Sequence, residues 1–221
     1  MIIAIDGPAG AGKSVIAKKV AEDFGFLYVD SGAMFRGIGL YALRQGVDPL
    51  DKEGVVALLS TLDEKIVYVD GEQRILVNGE DVTPYIRTEE VSKAASDVSA
   101  ILEVRDFLID TQRNLAAEND IIMDGRDIGT YVFPKADLKI YLTATPEIRA
   151  ERRRKQLLEK GIENSYEDIL ADIRERDYND SHRPTRPLKQ AEDAVYIDNT
   201  DFSLEEDIQN IEKLVKEKQC R

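Results

Sequence analysis

Gly7-Pro8-Ala9-Gly10-Ala11-Gly12-Lys13-Ser14 follows directly on the apolar run Ile2 to Ile5. The spacing Gly-x-x-x-x-Gly-Lys-Ser between a strand and a helix is that of a loop that wraps phosphate. Glycine reaches positive φ without a steric penalty and lets backbone N–H groups approach an anion closely. The helix that follows adds the positive end of its dipole. Lys13 would reach the β- and γ-phosphates of a nucleoside triphosphate, and the Ser14 hydroxyl would ligate Mg²⁺. A glycine-rich turn that binds nothing is the alternative, and the agreement of motif with context argues against it.

A second set of residues suits a phosphorylated acceptor. Nine of the sixteen arginines lie between Arg126 and Arg186, in a chain whose net charge is −13. Solvated helix faces would account for any one of them, but guanidinium forks match phosphate oxygens in pairs. Arg36 falls about one turn into the helix after Asp30-Ser31-Gly32, and Arg126-Asp127 follow Asp124-Gly125. Both segments should follow strand ends, where ligands collect in parallel α/β sheets.

The elements that must position these residues alternate. Strands are expected at Ile2–Asp6, Phe26–Val29, Ile121–Asp124, Leu138–Thr143 and Ala194–Asp198. Helices are expected over Lys13–Phe24, from Asp30 to about Arg44, over 51–62, 88–118, Glu147–Lys160, from Ser165 to about Tyr178, and over Leu204–Lys218. Thr145-Pro146 reads as a cap with proline at the first helical position, and Ser165 to Asp168 as a capping box. This alternation predicts an α/β fold with a parallel sheet flanked by helices. Lys65–Val69 and Arg74–Val77 break it. They are β-rich and bounded by Asp70-Gly71 and Asn78-Gly79, so they read as an inserted antiparallel patch.

These motifs together resemble bacterial cytidylate kinases. The resemblance rests on the phosphate loop, Asp30–Arg36, Lys93-Ala-Ala-Ser96 with Arg105, Asp124–Asp127 with Gly129-Thr130, and Glu175-Arg176-Asp177 with Asp180 and Arg183. It runs from residue 2 to about residue 210. It implies a P-loop kinase core with a helical lid, using ATP and Mg²⁺ to phosphorylate CMP or dCMP. ATP would lie on Gly7 to Val15. Ser31, Ser96, Arg105 and Asp127 would surround cytosine. Arg36, Arg126 and Arg183 would hold the acceptor phosphate or bridge to the transferring group, and Arg176 and Asp180 would meet the sugar. Arg149, Arg152, Arg153 and Arg154 would line the lid, with Arg153 beside Lys13 and Arg126 in catalysis. Some relatives carry glycine in place of Ser14, so its metal role is open within the family. The implied organisation is one kinase unit over 1–221, with 63–85 as an acceptor-side lobe and 146–165 as the lid.

Cytosine chemistry agrees, since its N4 amine donates while N3 and O2 accept. An Asp–Arg–Ser set answers that pattern, and uracil would set a carbonyl against the aspartate. A nucleoside monophosphate is already largely a dianion at neutral pH, with a second pKa of about 6, so no general base is needed. The lone His182 is expected to be a loop residue. The acidic balance argues against a nucleic-acid coat and favours a monomer. No apolar run approaches the ~20 residues of a membrane span. A single cysteine, Cys220, excludes an intrachain disulfide. The expected location is cytoplasmic. No guanine-reading Asn-Lys-x-Asp is present, which excludes a switch GTPase. A kinase for another nucleoside monophosphate and an ATP-binding regulator without turnover remain as alternatives.

Overall fold

The computed structural model describes residues 1–159 and 161–220. Lys160, expected as the last residue of the lid helix, lies outside the described residues. The chain divides into two compact units, with the division inside the second strand. One holds Met1–Tyr28 and the residues from Asn119 onward, and the other holds Val29–Glu118.

The first unit is built on a parallel sheet. Its strands are β1 (Ile2–Asp6), β2 (Leu27–Asp30, which crosses the division), β6 (Ile121–Gly125), β7 (Leu138–Thr143) and β8 (Val195–Asp198). They stand in the order β2-β6-β1-β7-β8. β1 lies at the centre because it is apolar on both faces, and Ile3 and Ile5 are fully buried. Its register places Ile2 opposite Ile121 and Asp6 opposite Gly125. The carboxyl ends of β1 and β6 are therefore level, so the loops after them start side by side. Helices α1 (Lys13–Phe24), α6 (Pro146–Glu159), α7 (Tyr166–His182) and α8 (Leu204–Gln219) complete the unit. Ile16, Val20, Ile211 and Val215 pack on the sheet. Ser203 and Glu206 form a capping box that starts α8.

The second unit holds α2 (Ser31–Arg44), α3 (Lys52–Leu59), the antiparallel strands β3 (Glu64–Val69), β4 (Glu72–Val77) and β5 (Glu80–Asp81), then α4 (Glu89–Val98) and α5 (Leu102–Glu118). Both expected hairpin turns have positive φ at their two central residues, 52° and 78° at Asp70-Gly71 and 49° and 86° at Asn78-Gly79. That is the geometry a two-residue turn needs to match strand twist. Two-residue β5 was not expected, being too short to show a period. The helix expected over 88–118 is broken at Ser99–Ile101. Ser99 Oγ donates to the Ser96 carbonyl and competes with helix continuation. Ile75, Val77 and Val82 of the antiparallel segment belong to this unit's core, with Met34, Ile38, Val98 and Leu108.

One residue in that core is costly. Glu64 is 9% exposed, and neither of its carboxylate oxygens has a hydrogen-bond partner among the described residues. Burial pushes its carboxyl well above the usual range. A folded-state value raised in this way lowers stability as pH climbs above the unfolded value. Glu64→Leu should therefore raise the melting temperature, less at pH 4 than at pH 8. An unsatisfied buried polar group costs about 1–3 kcal/mol, which corresponds to several degrees for a chain of this size. Thermal unfolding at both pH values checks this, and an equal shift at the two would contradict it.

Candidate active site

The phosphate loop links β1 to α1. A Cβ on Gly7, whose φ is 151°, would run into the Leu142 carbonyl of the neighbouring strand, so only glycine fits there. Gly12, with φ 90°, starts α1 from a left-handed conformation. Three loop carbonyls are tied back by side chains. Lys13 Nζ donates to Pro8 O at 2.8 Å, Arg149 Nη1 to Ala9 O at 3.0 Å, and Asn199 Nδ2 to Ala11 O at 3.0 Å. With its acceptors held, the loop can present N–H groups to phosphate oxygens. Gly10 lies against the Arg149 side chain, Ala11 is fully buried, and Val15 is exposed at the start of α1.

Lys13 is itself buried. Burial first, and the nearby Arg126 second, bring its ammonium down to about 7, opposed by Asp124, Asp180 and Asp6. Ser14 Oγ donates to Asp124 Oδ2 at 2.9 Å, and Tyr28 donates to the other oxygen of Asp124 at 2.8 Å. Asp124 was read from sequence only as part of a strand end. Its pairing with Ser14 sets two hard oxygen donors side by side at the loop, a combination that suits Mg²⁺.

Asp6 is a buried carboxylate beside the loop that the sequence reading did not single out. It closes β1 and accepts the N–H groups of Ile128 at 2.8 Å and Gly129 at 2.7 Å. These bonds fasten the single π-helical turn Ile128–Val132 that follows Asp127. Burial raises the Asp6 carboxyl to about 6 against the lowering effect of those two amides, and Asp127 adds to the rise. A charged residue ending an apolar strand just before Gly7 was the signal for it.

Arg126 Nε donates to Asp180 Oδ2 at 2.7 Å, and its Nη1 donates to Gly125 O at 3.3 Å. Arg183 Nη1 lies 3.8 Å from the other Asp180 oxygen. Burial alone would raise the Asp180 carboxyl, but Arg126, Arg183 and Arg176 more than offset it and hold it below the usual range. Asp180, expected at the sugar, is ion-paired with two phosphate-binding candidates. Asp127 is buried just before the π-helical turn, and Arg176 is half-buried on α7.

The arginines of α6 do not form one set. Arg149, expected on the lid, is 2% exposed. Its Nε donates to Ala144 O, and Nη1 and Nη2 grip Asp177. Arg152 donates to the side chain and carbonyl of Asn199. Helical spacing turns these two inward, while Arg153 is half-buried and Arg154 exposed. Arg149→Ala should act mainly on stability, because it leaves Asp177 and the carbonyls of Ala144 and Ala9 without this donor. Loss of about 3 kcal/mol, or roughly 10 °C in melting temperature, is expected. A melting curve unchanged from wild type would return Arg149 to the lid. His182, expected in a loop, is the last residue of α7, with its ring stacked on Tyr178 one turn earlier at 4.1 Å.

In the second unit, Ser31 and Arg36 lie in the first turns of α2, which Asp30 caps by accepting from Ala33 N at 2.9 Å. Ser96 and Arg105 are joined through Ser99. Ser96 O accepts from Ser99 Oγ, and Ser99 O accepts from Arg105 Nε. The Arg105 guanidinium lies over the Phe35 ring at 5.1 Å. Ser96 and Arg105 are thus linked to each other, and Arg105 to α2 through Phe35.

The sequence matches the cytidylate kinase family over residues 3–217. It is 50% identical over 212 residues to the cytidylate kinase of Caldicellulosiruptor bescii, covering 96% of this chain and 94% of the relative. It is 47% identical over 216 residues to that of Clostridium tetani, covering 98% and 94%. It is also 47% identical over 218 residues to that of Halalkalibacterium halodurans, covering 99% and 98%. With its phosphate loop and the arginine and aspartate groups after β6, the chain belongs to the cytidylate kinase family.

Proposed function

We infer that the protein transfers the γ-phosphoryl group of ATP to CMP or dCMP, giving ADP and CDP or dCDP, in pyrimidine nucleotide metabolism. The observation that carries this reading is the coupling within the first unit of the phosphate loop to the acceptor-side arginines. Arg126 donates to Asp180, and its charge, next after burial, lowers the Lys13 ammonium while Asp180 raises it. A site that handles two phosphates needs such cationic pressure, which an incoming anion relieves.

ATP lies on Gly7 to Val15, with Lys13 following the β/γ oxygens. An oxygen of the acceptor phosphate attacks the γ-phosphorus, and the bond to the β–γ bridging oxygen breaks. No protein base is needed, because the acceptor is largely a dianion at neutral pH. Catalysis rests on alignment and charge neutralisation. Ser14 and Asp124 would hold Mg²⁺, which supplies positive charge to the β- and γ-oxygens. Lys13, Arg126 and Arg153 neutralise the transferring group, with α6 and residues up to 165 acting as the lid. Arg36, Arg126 and Arg183 hold the acceptor phosphate. Ser31, Ser96, Arg105 and Asp127 read the base, and Arg176 and Asp180 serve the sugar. Residues 63–85 serve the acceptor. Among the described residues no helix is long and apolar enough to cross a membrane, and we place the enzyme in the cytoplasm as a monomer.

ADP formation with CMP, dCMP, UMP, AMP and GMP tests the reading. CMP and dCMP should give the highest kcat/KM. Equal rates with the purine monophosphates, or ATP hydrolysis insensitive to CMP, would overturn it.

A further inference from the structure

We propose that Arg87 is a further arginine of the acceptor-phosphate site, which grips a phosphate monoester together with Arg36. The proposal rests on the acceptor reading of Arg36 and extends it. Arg87 ends the segment between β5 and α4, far in sequence from Asp30, yet its Nη2 donates to Asp30 Oδ2 at 3.1 Å. Arg36 Nη1 approaches the same oxygen at 3.6 Å. The other oxygen of Asp30 is occupied by the Ala33 N–H. Two guanidinium groups therefore share one carboxylate oxygen, and the cluster keeps a net positive charge.

Two features suit this cluster to an anion. Arg36 Nη1 is buried but has no hydrogen-bond partner among the described residues, since 3.6 Å to Asp30 is too long for one. A buried guanidinium N–H in that state is a donor awaiting an acceptor. Asp30 and Gly32 begin the 14-residue helix α2, where the helix dipole favours negative charge.

The geometry is also fixed in place. Gln73 of β4 accepts from Asp30 N at 2.8 Å and donates to Asp30 O at 3.1 Å, like a neighbouring strand. Asp30 is thereby a rigid spacer for both arginines. Arg87 has a side chain 59% exposed against 25% for Arg36. The inner arginine presents a preset donor, and the outer one keeps the rest of its fork in solvent, from which it can fold onto a bound phosphate. A simple brace between Asp30 and α4 would need only the one bond and no open fork.

Calorimetric titration of the full-length protein with CMP and with cytidine, which lacks the phosphate, tests this. Arg87→Ala should weaken CMP binding by about tenfold or more, the loss of one charge-assisted contact, and leave cytidine binding unchanged. Equal weakening of both ligands would make Arg87 a brace and overturn the proposal. So would unchanged CMP binding by Arg87→Ala alongside weakened binding by Arg36→Ala, which leaves the Arg36 reading standing. If Arg36→Ala binds CMP like wild type, the acceptor reading of Arg36 fails and the proposal with it. Should Arg87→Ala melt early, Arg87→Lys carries the test. It keeps a charge on Asp30, and should still lose about threefold for CMP alone; wild-type binding of CMP would overturn the proposal.

Discussion

Lys13→Ala is expected to lower kcat by at least ~10³-fold, the scale on which single cations act on a transferring phosphoryl group. ATP affinity should change far less. Lys13 is the only side chain of the phosphate loop with a positive charge, and that charge is worth most when the γ-phosphoryl group is between donor and acceptor. The structure adds an expectation about stability. Burial and Arg126 press the ammonium down to about 7 in the protein without ligand, so the folded chain bears this charge at a cost. Its removal gives up one hydrogen bond to the Pro8 carbonyl. The variant should therefore melt no lower than wild type. Steady-state kinetics at saturating CMP with a melting curve checks both parts. A kcat near wild type would remove the phosphate-loop assignment, and a large drop in melting temperature would make Lys13 a structural residue.

Asp127→Ala is expected to shrink the ratio of kcat/KM for CMP over UMP by on the order of 10²-fold. A hydrogen bond from the N4 amine to a carboxylate contributes roughly 1.5–3 kcal/mol, and setting that carboxylate against the uracil carbonyl costs a comparable amount. The variant should lose most of its rate with CMP and little with UMP. Asp127 is buried, at the point where Asp6 holds the following two amides, so its backbone is tightly placed. Arg126 turns its Nε toward Asp180, which leaves base reading and phosphate binding to different side chains. A purely structural Asp127 predicts instead a lower melting temperature and equal losses with both substrates. An unchanged CMP/UMP ratio would exclude Asp127 as the reader of cytosine.

The sequence alone determined the features that a short stretch of chain can encode. The phosphate loop is eight consecutive residues, and its glycines demand conformations that little else can adopt. Asp70-Gly71 specified the turn between β3 and β4 and Asn78-Gly79 the turn after β4, because both central residues need positive φ. The period of apolar residues gave the strands β1 and β7 and the helix α1 to the residue. The tertiary structure decided which charged groups meet. Ser14 reaches Asp124 across 110 residues of chain, and Asp6 reaches Ile128 and Gly129 across more. Those contacts follow from β1 and β6 being neighbours in register, and no local pattern states a register between distant strands. Depth was equally hidden. Arg149 and Arg154 look alike on the helix, yet one is enclosed by Ala144, Ala9 and Asp177 and the other stands in solvent. A side chain's type sets what it can bind, but its partner and its dielectric surroundings are set by what the rest of the chain packs around it.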